Sequence, residues 1–269
     1  ERAELAWRFR EAAYRAGAWP VFYQVSRASL DLYVDLGLTL LKLGESAVVP
    51  LAGFSLEGPE RRALRRGVRE ASRAGCTFEV VPAGAVPALL PELRVVSDAW
   101  LHARRVREKG FSLGRFDEGY LAHFPLAIVR REGEVVAFAN LWTTASREEL
   151  SVDLMRHLPS APPGTMDFLF AELMLWGARQ GYARFDLGMA PLSGFEGRAL
   201  APSWHRVARA VFALGEHFYN FQGLRRYKEK FRPVWEPRYL AAPGGLHLPR
   251  VLANVAALVG GGIAGVVSR

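Results

Sequence analysis

At 269 residues the chain can bury a substantial core, arranged as one domain or as two small ones. Lys and Arg number 35 against 27 Asp and Glu, giving +8, a balance that suits polyanionic partners such as nucleic acid or anionic lipid and equally suits plain solubility. Cys76 is the single cysteine, which excludes an intramolecular disulfide and a cysteine zinc cluster and fits a reducing, cytosolic setting.

Glu1 already lies inside the helical pattern ERAELAWRFREAAYRAG, with no initiating Met and no signal peptide, so the sequence reads as a fragment whose upstream part is missing. WPVFYQVS then reads as a strand, SLDLYVDLG as a short helix, and LTLLKLGESAVVPLAGF as two strands around a turn at Gly44-Glu45. Pro59 opens a helix through Arg73, CTFEVVPA alternates as a strand, and PELRVVSDAWLHARRVREK is a helical connector. PLAIVRREGEVVAFANLWT is a hairpin about Glu132-Gly133, and ELSVDLMRH is the next strand. A helix from Thr165 to Gln180, with Gly181 as its C-cap, precedes the strand ARFDLGM. Another helix begins near Ser203 and carries Phe212, Phe218 and Tyr219. Val251 to Val267 holds no charged residue, but it falls short of the roughly 20 apolar residues of a membrane span, and Gly260 to Gly262 weaken it. It reads either as a core-packing helix or as one lying on a membrane surface.

Hairpin, helix and strand thus occur twice. That order suits an α/β protein (α+β in its mixed sheets) with tandem duplicated GNAT-like acyltransferase domains. The expected boundaries are 1–92 for the first domain, 93–119 for the connector, 120–245 for the second domain with the active site, and 246–269 for the C-terminal apolar helix. An ordinary GNAT enzyme binds the acyl-CoA pyrophosphate on the amides of a loop of the form Arg/Gln-x-x-Gly-x-Gly/Ala at a helix N-terminus. No glycine here sits in that pattern; the nearest approach, Arg107 to Ser112, ends in Ser and lies in the connector. Before Thr165 stands SAPPGT, in which Pro162 and Pro163 have no amide hydrogen to donate, so acyl-CoA is a poor candidate donor.

Three groups of residues are candidates for chemistry. Arg61, Arg62, Arg65, Arg66, Arg69 and Arg73 give the helix after Pro59 a broad basic face, by default solvated and otherwise set against the phosphates of a nucleic acid such as a tRNA acceptor stem. Asp153 and Arg156, three apart in SVDLMRH, point to opposite faces of a regular strand and converge only at a bulge or strand end. Tyr227, Lys228 and Lys230, with Arg225 and Arg226, form a basic helix end, where cations complement the helix dipole. The histidines at 102, 123, 157, 205, 217 and 247 show no HExxH spacing, and Ser193 in PLSGF lacks the flanking glycine of a nucleophile elbow. Neither a metal nor another cofactor is called for.

In order and spacing, DLMRH, PPGTMDFLF, FDLGMAPLSG and LRRYKEKFRPVWEPRYL resemble one family, the soluble C-terminal domain of the aminoacyl-phosphatidylglycerol synthases, or multiple peptide resistance factors. The resemblance covers most of the chain and is densest after Phe111. It implies a tandem GNAT-like fold and transfer of lysine or alanine from aminoacyl-tRNA to phosphatidylglycerol, with the two substrates entering one tunnel from opposite mouths. It also implies a place at the cytoplasmic face of the bacterial inner membrane, beside an upstream transmembrane part of the full-length protein. Lys228 matches the lysine that the family places at its active centre, and Asp153 and Arg156 match family residues implicated in activity. Tyr120, Glu70 and Tyr227 join them as expected site residues, with Arg225, Arg226 and Lys230 expected on lipid phosphate. The product lowers the negative charge of the membrane and weakens its attraction for cationic antimicrobial peptides. An acyl-CoA N-acyltransferase and a non-catalytic membrane- or RNA-binding module are the other classes considered.

Overall fold

A computed structural model describes residues 1–105, 108, 111–112, 114–191, 193–194 and 221–260. The helix expected from Ser203, with Phe212, Phe218 and Tyr219, lies outside the described residues. The chain packs as two compact units, one made of Glu1–Ala47, Met189–Arg225 and Trp235–Arg269, the other of Val48–Gly188 and Arg226–Val234.

The first unit holds helix α1 (Arg2–Arg15), strand β1 (Phe22–Ser26), helix α2 (Leu30–Asp35), most of β2 (Thr39–Pro50), β8 (Val234–Ala242) and helix α8 (Leu248–Gly260). Its strands run in the order β1-β8-β2, with β1 antiparallel to β8. The expected turn at Gly44-Glu45 is not formed, and β2 runs through it as one strand. Gly44 is not among the glycines of positive φ, and the Glu45 carboxylate is neutralised in place by Lys42 at 2.9 Å and Arg225 at 3.0 Å. A charged residue so paired can stay in a half-buried strand, where an unpaired one would favour a solvated turn. Val251, Leu252 and Val255 of α8 are buried with Leu41, Leu43 and Leu240, so the described part of the C-terminal helix packs on the core. Among the described residues no helix is long and apolar enough to cross a membrane.

The second unit holds α3 (Arg62–Arg73), β3 (Cys76–Val81), α4 (Leu90–Arg104), α5 (Glu118–Leu121), β4 (Leu126–Arg131), β5 (Glu134–Thr143), β6 (Glu149–His157), α6 (Thr165–Arg179) and β7 (Arg184–Pro191). Helix α7 (Phe221–Glu229) begins in the first unit and adds its last residues to the second. The strand order is β7-β6-β5-β4-β3; β6 and β7 are parallel and the other pairs antiparallel, a mixed sheet flanked by helices as the sequence implied. β3, from the first expected domain, pairs with β4 from the second over six residues, so pairing crosses from one to the other. The expected hairpin forms at Glu132 and Gly133, whose φ values of 53° and 86° are those of a tight primed turn. Leu93, Leu121, Leu126, Ile128, Phe138 and Leu154 centre the core on this sheet.

Helix α6 is apolar on nearly every side, burying Phe168, Leu169, Phe170, Leu173 and Met174 as a central helix must. Its N-terminus meets α3 backbone to backbone. A Cβ on Gly164, whose φ is +81°, would stand 2.1 Å from the carbonyl oxygen of Gly67. Gly164→Ala therefore combines a left-handed backbone with a clash against an atom that has no rotamer to escape into. The expected loss is about 2–4 kcal/mol of stability, read from urea denaturation against Gly75→Ala, where a Cβ meets nothing within 4 Å.

Candidate active site

Parallel pairing of β6 with β7 begins at Glu149↔Arg184 and ends at Ser151↔Asp186. Beyond that point the strands part, and the candidate residues gather along their two edges.

On β7, Asp186 accepts the Gly188 amide at 2.7 Å, folding the strand end into an Asx turn with Gly188 at φ +83°. The turn aims the Gly188 carbonyl at α7, where it accepts a 2.8 Å hydrogen bond from Lys228 Nζ. Lys228 is 5% exposed. Burial lowers its pKa to about 8, and the Asp186 carboxylate only partly offsets this. Next to it on α7, Tyr227 packs between Phe170 and Phe231, and its hydroxyl meets no partner at full hydrogen-bonding geometry. Burial first, then the nearby Asp167 carboxylate, pushes the phenol well above its ordinary pKa. Asp167 itself lies in the first turn of α6 and holds Lys230 by both oxygens, at 3.1 and 2.9 Å.

On β6, the register against β5 slips between Ala139↔Met155 and Leu141↔Val152, leaving one extra residue on β6. This is a bulge, and the Asn140 Oδ1 fills the gap in the ladder by accepting the Leu154 amide at 2.7 Å. The bulge breaks the alternation that would send Asp153 and Arg156 to opposite faces; the Arg156 charge is near enough to pull the Asp153 pKa downward. Asp153 accepts the Tyr120 hydroxyl at 2.9 Å, and Tyr120 in turn accepts the indole N–H of Trp142 at 2.9 Å. A Cβ on Gly114 would fall 2.7 Å from Asp153 Oδ2, so only glycine lets that segment lie on the carboxylate. Burial is the largest influence on Asp153 and raises its pKa despite Tyr120, the Gly114 amide and Arg156. Arg156 is 8% exposed, bonds Glu108 at 3.0 Å, and lies 4.1 Å over the Trp100 ring.

The remaining sequence candidates divide. Glu70 stands on the exposed face of α3, 3.8 Å from Arg66, apart from the residues above. Arg61 donates to the Lys230 carbonyl at 3.4 Å and lies over Phe54, and Arg65 donates to the carbonyls of Leu56 and Gly58. These two hold the loop before α3, while Arg62, Arg66 and Arg69 are exposed. Arg225 pairs with Glu45 and stacks 4.2 Å from Trp235 in the first unit; Arg226 is exposed. The sequence reading passed over Trp142, Glu108, Trp100, Asp167, Asp186 and Gly188. Asp167 and Asp186 carried a signal, being the acidic first-turn residue after PPGT and the carboxylate of FDLGM.

The chain is thus an α/β protein with a buried lysine and a half-buried carboxylate where two parallel strands separate. A family model described as phosphatidylglycerol lysyltransferase, C-terminal, matches residues 1–242, and the chain belongs to that family. The phosphatidylglycerol lysyltransferase of Bacillus subtilis (strain 168) is 40% identical over 254 residues, 94% of this chain and 29% of the relative. The chain therefore spans less than a third of the curated relatives it matches. Among solved structures, one from Agrobacterium fabrum designated the C-terminal domain of a lysylphosphatidylglycerol synthetase has a TM-score of 0.84 and 44% identity, covering 97% of this chain and 79% of that one. The structure of L-PGS from Bacillus licheniformis has a TM-score of 0.81 and 41% identity, covering 94% and 77%.

Lys228 also leaves a thermodynamic signature. An unfolded lysine titrates near 10.5 and the folded one near 8, so between those values the unfolded chain binds more protons and stability rises with pH. Relative to Lys228→Met, the wild-type protein should gain about 3 kcal/mol across that window, seen as a pH-dependent difference in denaturation midpoints. Parallel curves for the two proteins would mean that Lys228 titrates normally.

Proposed function

We propose that this domain transfers an amino acid, lysine by preference, from aminoacyl-tRNA to the glycerol hydroxyl of phosphatidylglycerol. The observation that carries the reading is the pair Lys228 and Asp153, flanking the parting of β6 and β7 in a chain of this family. Burial lowers the ammonium and raises the carboxylate, so the gap in proton affinity between acid and base narrows toward neutral pH. The names of the relatives favour lysine over alanine and phosphatidylglycerol over other acceptors.

In the reaction the glycerol oxygen bonds to the ester carbonyl carbon and the bond to the tRNA ribose oxygen breaks. Asp153, held by Tyr120, takes the proton of the attacking hydroxyl. Lys228 faces the oxyanion of the tetrahedral intermediate and gives a proton to the departing ribose oxygen. Arg156, fixed by Glu108 and Trp100, orients the aminoacyl carbonyl or a neighbouring phosphate. One ester replaces another, so the step consumes neither ATP nor a cofactor, and alignment of two large substrates supplies about 7–11 kcal/mol of the lowered barrier.

Two features support a tRNA donor over acyl-CoA. The N-terminus of α6, where acyl-CoA pyrophosphate would sit, is covered by Gly67 of α3, and its first turn carries Asp167 with Lys230 already bound. Arg62, Arg66 and Arg69 are exposed on α3 and present positive charge to a phosphate backbone. Arg226 is the exposed member of the three cations expected on lipid phosphate; Arg225 and Lys230 would have to exchange present partners to join it. We place the domain at the cytoplasmic face of the membrane beside an anchoring part, and its product would reduce attraction for cationic peptides.

The deciding experiment is incubation with phosphatidylglycerol vesicles and a panel of charged tRNAs, followed by lipid analysis; absence of aminoacylated lipid from every tRNA would sink the proposal. Lys228→Ala should lower turnover by about 10²-fold or more while donor affinity stays nearly constant. The pH profile of kcat/KM should be a bell whose alkaline limb falls near pH 8, as Lys228 loses its proton, and whose acid limb lies above the ordinary aspartate value. Replacing Arg62, Arg66 and Arg69 with Glu should raise KM for charged tRNA and flatten the salt slope of binding by roughly 0.7–0.9 per lost contact. Unchanged tRNA binding together with loss from anionic vesicles would show that α3 faces lipid.

A further inference from the structure

Two indoles flank the bulge of β6, and they differ in what covers them. Trp100 has Arg156 4.1 Å and Arg104 5.0 Å from its ring centre, so its faces serve to position those guanidinium groups. Trp142, at the end of β5, is 43% exposed, and among the described residues no ring or cation stacks on it. Its edge is nevertheless fixed. The indole N–H can only donate, and it donates to the Tyr120 oxygen, which leaves the single Tyr120 proton for Asp153. The ring is therefore pinned by its nitrogen within two hydrogen-bond lengths, each 2.9 Å, of the carboxylate, with ring surface left open to solvent.

Single exposed aromatic side chains are ordinary on a protein surface, but this one is held at its edge. Holding it with a hydrogen bond makes a rigid, flat platform at a defined place. In the proposed reaction only one substrate has a flat ring system near the reacting ester. The base of the donor's last nucleoside is separated from the ester carbonyl by a single ribose, whereas phosphatidylglycerol offers glycerol, phosphate and flexible chains. Base-on-aromatic stacking needs nothing more than such a platform, and it adds affinity without reading sequence.

We infer that Trp142 is the stacking platform for the terminal adenine of the CCA end of the tRNA donor, and that its hydrogen bond through Tyr120 sets the base in register with Asp153. The inference rests on the donor being aminoacyl-tRNA, as proposed above. Trp142 is a binding residue through its ring and a positioning residue through its nitrogen. These two roles can be separated, because Phe keeps a ring and loses the nitrogen while Leu loses both.

Calorimetric titration of the protein with the uncharged trinucleotide CCA tests the platform without requiring turnover. Trp142→Leu should weaken CCA binding by roughly 5- to 100-fold, and a trinucleotide lacking the terminal base should bind the wild-type protein about as poorly. Trp142→Phe should keep affinity within about threefold of wild type, since a ring remains to stack. In turnover, Trp142→Leu should raise KM for charged tRNA by a similar factor and leave KM for phosphatidylglycerol in place. Equal CCA affinity in wild type and Trp142→Leu, or equal binding of CCA and its abasic form, would overturn the inference. A rise in KM for phosphatidylglycerol alone would overturn it too, by placing lipid on the ring. If CCA binds through Trp142 yet no charged tRNA yields aminoacylated lipid, the platform stands and the proposed reaction does not.

Discussion

Parallel strands joined by a crossover helix normally stay paired along their common length, because each unpaired amide and carbonyl in the interior must find another partner. Here β6 and β7 pair for three residues and then separate, and the freed backbone is taken up by groups that carry the site. On one side the Gly188 carbonyl receives the Lys228 ammonium. On the other the bulge in β6 turns Asp153 and Arg156 toward a common side while Asn140 closes the ladder behind them. The separation thus explains both how a lysine can be buried and how two charged residues three apart on a strand can act together.

Charge is distributed unevenly around this opening. Arg156, buried, meets the Glu108 carboxylate, and Lys230, half-buried, meets Asp167, so each of these cations has an opposite charge in contact. Lys228 rests on a neutral carbonyl with Asp186 acting from further off, and Asp153 is held mainly by a neutral phenol. A neutral partner stabilises an ion less than a counter-ion does, which is why burial prevails at these two positions. In the proposed reaction these are the two groups that exchange protons, while the neighbouring ion pairs fix geometry.

Much of the fold was legible because local chemistry and tertiary packing agree there. The Glu132-Gly133 turn needs two residues at positive φ, and α6 announces itself by an apolar run between Gly164 and Gly181. The reading failed at Gly44-Glu45, where turn-forming residues are overruled by Lys42 and by Arg225, 180 positions away in sequence. Strand neighbours such as β3 and β4 were equally out of reach, since periodicity names strands and not their partners. For the site, the family motifs led to Lys228, Asp153 and Arg156, but a bulge leaves no mark in alternation, and Trp142 looked like any strand-end aromatic. The basic face of α3 was legible only as a set; that Arg65 turns back onto the loop before the helix and Arg61 toward Lys230 depends on carbonyls that no pattern predicts.

The contact of Gly164 with Gly67 has a bearing on how such a domain can change over time. A chain that gained a glycine-rich loop before α6 would still find α3 lying over the amides that must meet pyrophosphate, and Asp167 opposing its charge. A change in the loop, in the Gly67 contact or in Asp167 alone would disturb this packing without opening room for a nucleotide thioester. On the proposed function, a change from an aminoacyl-tRNA to a thioester donor would therefore require displacement of a whole helix.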